Sequence, residues 1–161
     1  MQPTRSVRRS SVGVALVSLL VSASFWGCGP SPSSSVSKEV SAIEARMQEY
    51  VSLVRAMNHD AIAEMFVAEG EIAAEGAETV RGRERIRAYL KGFANYHVDD
   101  IRQTSDAVVV RGDSASQAGT YWQRVRTPEG ETVEVEGRYT ADWTRGADGV
   151  WRYSRVATVA K

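Results

Sequence analysis

Apolar residues return at steps of three and four over residues 38–57: Val40, Ile43, Met47, Tyr50, Val51, Val54 and Met57. Lys38, Glu39, Glu44, Glu49 and Arg55 fall mainly between them. That spacing predicts one long helix with a single buried stripe. Ser37 is one possible start, and Ser41 with Glu44 three residues on forms a potential capping box. Twenty residues rise roughly 30 Å, enough to span a small domain. Asn58, His59 and Asp60 break the period, and Asp60 is placed to cap a short helix running to Phe66. A short strand over residues 71–75 follows, then a loop over 76–82. A third helix over 83–93 has Ile86, Leu90 and Phe93 on one side and charges on the other.

Beyond His97 the period changes from helical to alternating. A strand begins at Val98 and continues to Val110, with a turn at Arg111, Gly112 and Asp113. Over residues 114–127, Ala115, Gln117, Gly119, Tyr121, Gln123 and Val125 share one face. Over 132–144, Val133, Val135, Gly137, Tyr139, Ala141 and Trp143 alternate with Thr132, Glu134, Glu136, Arg138, Thr140 and Asp142. One face of such a strand is buried and the other wet. A last strand over 150–159 follows the turn at 146–149. Helices first and a strand meander afterwards predict an α+β fold, with a curved antiparallel sheet wrapped around the long helix. Gly119 and Gly137 lie inside strands, where glycine marks a bend or a close approach. Strong curvature leaves a cavity between sheet and helix, a usual place for a small molecule.

The first thirty of the 161 residues do not share this patterning. Arg5, Arg8 and Arg9 precede an uncharged run over 12–26, which is the layout of an export signal. The run is short for a membrane span and is interrupted by Ser18, Ser22 and Ser24. Cys28 is the only cysteine, so no disulfide forms within the chain. Phe25, Trp26, Gly27 and Cys28 resemble the lipobox of bacterial lipoproteins, in which the cysteine is acylated and becomes the mature N-terminus. The resemblance implies a signal peptide over 1–27, a Gly/Pro/Ser tether over 28–37, a domain over 38–161 and a cell-envelope address held by lipid on Cys28. A secreted soluble protein with a free thiol is the alternative. Loss of residues 1–27 removes three arginines and no acid, so 20 basic against 20 acidic residues becomes 17 against 20. A balance of −3 gives no basic face for nucleic acid.

The element order resembles the nuclear transport factor 2-like superfamily and, within it, the SnoaL-like group. The likeness rests on residues 58–61 ahead of Met65 and Phe66, on 80–86 opening the third helix, on Gly137, Arg138 and Tyr139 with Trp143, and on 148–152. It implies a cone-shaped α+β domain and either ligand binding, an isomerase, dehydratase or cyclase type of enzyme using Tyr50, or an interaction module. Ketosteroid isomerase, in that superfamily, uses a helix-1 tyrosine, a carboxylate base on the first strand and a protonated carboxyl on a later one. Register on Asp60 and Phe66 gives Tyr50 for the tyrosine, Ala74 for the base and about Thr140 for the second acid. Both acids are missing, so binding is the reading carried forward.

The candidate pocket residues are therefore Tyr50, Tyr121, Tyr139 and Trp143, and the ligand is expected to be small and apolar or of mixed polarity. No cofactor or metal is expected, because no His/Cys/Asp cluster has metal spacing and no glycine loop is built for phosphate. His59 reads as a solvated turn residue and His97 as a surface one. The outer sheet face, with Trp122 among Thr120, Arg124, Glu134, Glu136 and Arg138, is the surface through which a homodimer would form.

Overall fold

Helix α1 runs over Pro32–Arg55 in the computed structural model, which describes residues 32–161. The leader, Cys28 and residues 29–31 lie outside the described residues. The helix begins earlier than the apolar period predicts, so residues 32–37 of the expected tether are helical. Proline fits a first turn because its missing N–H has no intrahelical partner there, and the serines that follow extend that turn. Ile43, Met47 and Val51 are the buried stripe.

The helix ends in a Schellman arrangement. Met57 N–H bonds to Val54 O at 2.9 Å and Asn58 N–H to Leu53 O at 3.0 Å, with Met57 in the left-handed region at φ 53. Asn58 then caps α2 (His59–Glu64), its Oδ1 accepting the Ala61 N–H at 3.1 Å. Asp60, expected to be the cap, sits in the first turn and pairs with Lys91 at 2.8 Å and Arg87 at 3.2 Å. Asn and Asp cap equally well, and the left-handed turn at Met57 decided the place.

Strand β1 (Phe66–Ala74) starts five residues before the expected strand, because Phe66 pairs with Tyr153 ahead of an irregularity that ends at Glu71. The stretch expected as loop contains β2 (Val80–Arg81), which folds back on Glu71 and Ile72. Helix α3 (Arg83–Lys91) follows, then β3 (His97–Arg111), β4 (Ser114–Arg126), β5 (Thr132–Arg145) and β6 (Trp151–Ala160). The six strands form one sheet in the order β2-β1-β6-β5-β4-β3. Four pairings are antiparallel, as expected; the β1–β6 pairing is parallel and brings the first strand beside the last. The sheet is curved and unclosed, with α1 against β3 on its inner side.

The two strand glycines explain part of the curvature. Gly119 faces Tyr139 across β4–β5, and Gly137 faces Tyr121. A Cβ at Gly119 would lie 1.9 Å from Thr104 O and 2.8 Å from Tyr139 Cε1; one at Gly137 would lie 2.1 Å from Val159 O and 2.9 Å from Tyr121 Cε1. Each glycine thus lets the backbone of a neighbouring strand press close and a tyrosine ring lie over it.

The core gathers at the end where α1 enters. Trp143 is 1% exposed and stacks on Tyr153 at 3.8 Å between centroids, with Phe66, Trp151, Ile43 and Ile86 around them. Gln117, the single buried polar residue among those described, satisfies this region. It accepts the Trp143 indole N–H at 3.1 Å and donates to Ser105 Oγ at 3.1 Å. At the surface of the same end, Glu39 accepts from the Trp151 indole at 2.8 Å and from Arg145 at 2.7 Å, fastening α1 to the sheet.

Candidate functional site

Past Met47 the main core thins, and only Val51 of the stripe stays buried, against Val98 and Ile101. Tyr50, Val54 and Met57 instead border a cavity of about 470 Å³, enclosed by α1, the two shorter helices and the inner faces of β1 and β3 to β6. The volume lies within the range of small-molecule sites. From β4 and β5 come Tyr121, Gln123, Val125, Val133, Val135 and Tyr139; from β6, Tyr153, Val156 and Thr158; from β1, Ile72. Period-2 alternation puts these side chains inside, while Glu134, Glu136 and Arg138 of β5 stay exposed on the outer face.

The mouth is aromatic. Tyr89 and Phe93 stand edge to face at 5.3 Å and Phe93 and Tyr96 at 5.6 Å, forming a short ladder from the last turn of α3 onward. Tyr89 and Phe93 are each 39% exposed and Val133, also on the rim, 41%. Apolar groups left in water at a cavity mouth are where a ligand can add contacts.

Deeper in, the polar groups are neutral. The Tyr50 ring meets Tyr153 edge-on at 5.6 Å. Burial, with the nearby Tyr89 phenol, pushes the Tyr50 hydroxyl up to about 12. Burial likewise pushes Tyr139 up to about 12, and Tyr153 is raised well above 10 by burial and by the adjoining Tyr50 and Tyr139 phenols. Three phenols therefore converge at the floor, each a hydrogen-bond donor at physiological pH. The Tyr139 hydroxyl donates to Met47 Sδ at 3.1 Å, a weak acceptor. In the wall, Gln103 Oε1 and Thr127 Oγ1 are buried without a hydrogen bond. No Asp, Glu, Lys or Arg belongs to the lining.

Tyr50, Tyr121 and Tyr139 thus border the cavity together. Trp143 does not: it lies in the filled core, where its indole bonds to Gln117. Alternation put it on the correct face, but it stands four pairs further along β5 than Tyr139, beyond the floor. His59, expected in solvent, is half-buried and lines the cavity. The left-handed Met57 turns the chain between α1 and α2, and the first residue of α2 joins the cavity wall, a turn that no periodicity announces. His97 is exposed, 3.5 Å from Asp99, and is not in the lining. Ala74 is partly buried on β1, and Thr140 is exposed on the outer face. Neither position supplies a carboxylate. Among the described residues no group of three or more His, Cys, Asp or Glu is arranged to hold a metal ion, and no helix is long and apolar enough to cross a membrane.

The outer sheet face is polar. Trp122 lies between Arg102 and Arg124, at 4.9 and 5.3 Å from ring centre to guanidinium, and its indole donates to Glu134 at 3.3 Å.

A family model described as a SnoaL-like domain matches residues 36–157. Among solved structures, a ketosteroid isomerase-like protein from Erwinia carotovora atroseptica superposes with a TM-score of 0.70 at 17% identity, covering 76% of this chain and 96% of that one. A conserved protein from Planctomyces limnophilus gives 0.72 at 15% identity, over 78% and 98% of the two chains. An NTF2-like protein with a cystatin-like fold from Novosphingobium aromaticivorans gives 0.62 at 23%, over 76% and 82%. These likenesses are of fold. No curated protein matches the sequence.

Proposed function

The chain belongs to the SnoaL-like domain family, and on that premise we propose that it is an exported, lipid-anchored binding domain for a small apolar or mixed-polarity molecule. The observation that carries the binding half is the lining itself: an apolar cavity of about 470 Å³ with phenol and amide groups and no Asp, Glu, Lys or Arg. A carboxylate-base enzyme needs a base within hydrogen-bond reach of its substrate, and Ala74 and Thr140 leave that role empty. Apolar walls contribute affinity by area, and a few neutral donors fix orientation.

A thermal-shift screen of hydrophobic metabolites tests this reading, followed by Tyr50→Phe, which keeps the ring and deletes one oxygen. The expected outcome is a set of stabilising compounds whose binding weakens by about 0.5–1.5 kcal/mol in the variant. A broad library without one stabilising compound would shift the weight to an interaction module using the outer sheet face.

The anchoring half rests on the basic leader, the uncharged run after it and Cys28. Detergent phase partitioning of the chain and of Cys28→Ala checks it: the native chain should enter the detergent phase and the variant should not. Equal partitioning would leave a secreted or otherwise held protein.

A further inference from the structure

His59 is the one residue of the cavity lining whose side-chain type changes charge between pH 5 and 8. Every other polar group in that wall is a phenol, an amide or a hydroxyl. The titratable and charged groups around it come from three elements. Asp60, the next residue on α2, is held by Lys91 and Arg87 of α3. Tyr50 of α1 and Tyr89 of α3 share the cavity wall with it, as does Tyr96 beyond α3. No carboxylate in the lining competes for the imidazole or repels an anion brought to it. The turn that presents it is fixed at both ends, by the Schellman bonds at Met57 and by Asn58 capping α2.

We propose that His59 is a ligand-binding residue and that the cavity selects apolar molecules carrying one acidic group, whose anion sits against the protonated imidazole while the apolar body lies over the aliphatic wall toward the phenols. This rests on the cavity being the binding site and adds the class of ligand. The chemistry is complementary throughout. A half-buried imidazolium facing an apolar cavity is costly unless paired, and the neighbouring Asp60, which feels its charge, is already shared with Lys91 and Arg87. A bound anion supplies that pair. The remaining polar groups at the floor are mostly donors, which accept no proton from the ligand and repel no anion.

Two probes of one shape separate charge from hydrophobicity: 1-anilinonaphthalene-8-sulfonate, an anion at all working pH, and its uncharged parent N-phenyl-1-naphthylamine. Each is titrated by fluorescence into the full-length chain and into His59→Gln between pH 5.5 and 8.5. The anion should bind about tenfold more weakly at high pH than at low, near the lower end for a charged hydrogen bond because the imidazole is half-buried. The neutral probe should bind evenly across the range and compete with the anion. In His59→Gln the anion should lose its pH dependence and keep the weaker affinity, with neutral-probe binding unchanged, an outcome that a merely structural histidine would not give. A neutral probe that binds while the anion is indifferent to pH, or an anion whose pH dependence survives in His59→Gln, would overturn the role of His59 and leave the cavity reading standing. Failure of both probes to bind, or binding without competition, would overturn the cavity reading and this inference with it.

Discussion

Along one helix the molecule passes from a filled half to a hollow half. Around Ile43 and Met47, the inner faces of β4, β5 and β6 supply Gln117, Trp143, Trp151 and Tyr153, which are buried together. Around Tyr50, Val54 and Met57 the same strands supply Tyr121, Val133, Val135 and Val156, and a cavity remains. The two halves share alternation and helical period; they differ in side-chain volume. Indoles fill the space at one end, and valines at the other do not reach across. The small cluster of Val51, Val98 and Ile101 holds α1 to β3 beside the hollow half. Packing is thus concentrated at one end and open volume at the other.

The sharpest way to break that contrast is to hollow out the filled end. Trp143→Ala should cost about 3–5 kcal/mol, the range for a fully buried large aromatic, and show as a lower denaturant midpoint. A cost below about 1 kcal/mol would mean that the two ends are equally soft. Gln117→Leu keeps most of the volume but leaves the Trp143 indole N–H buried without an acceptor. A loss of about 1–3 kcal/mol is expected, measured in the same way.

Alkaline titration separates the phenols from the rest. Tyr50 and Tyr139 lie at about 12 in the folded protein against an ordinary value of 10.0, and burial raises Tyr153 well above that ordinary value too. For a raised pKa the folded state holds its proton where the unfolded chain has lost it. The contribution is therefore fully present below pH 10 and fades as pH climbs from 10 toward 12. Melting temperature should fall across that window, and the fall should be shallower in Tyr50→Phe. The smallest stability effect is expected from Tyr50→Phe at neutral pH, under about 1 kcal/mol, because no partner of that hydroxyl is lost with it. A large loss there would make Tyr50 part of the core rather than of the site.

Periodicity was enough to read the inward faces of β4 and β5, because a strand has only two faces and Glu134, Glu136 and Arg138 could occupy only the wet one. Gly119 and Gly137 announced curvature for a similarly local reason, each two residues before a tyrosine that its partner glycine receives. Depth along a strand was not legible. Trp143 and Tyr139 have the same parity, and only the tertiary distance from the helix end decides that one fills a core and the other borders a cavity. The parallel β1–β6 pairing was hidden for the opposite reason, since it joins residues more than eighty positions apart with no shared pattern. His59 was hidden by a methionine in a left-handed turn, a place where glycine would have been the usual signal.

The direction of α1 bears on where such a domain would meet its ligand. Its 24 residues rise roughly 36 Å from Pro32 to Arg55, and they begin at the filled end and finish beside the aromatic mouth. Three residues separate Cys28 from Pro32, so the two lie at most about 14 Å apart. If a lipid holds Cys28, the foot of the helix stays near the bilayer and the opening lies at its far end, so the helix sets the greatest distance, several nanometres, at which the cavity can meet a ligand in the aqueous compartment.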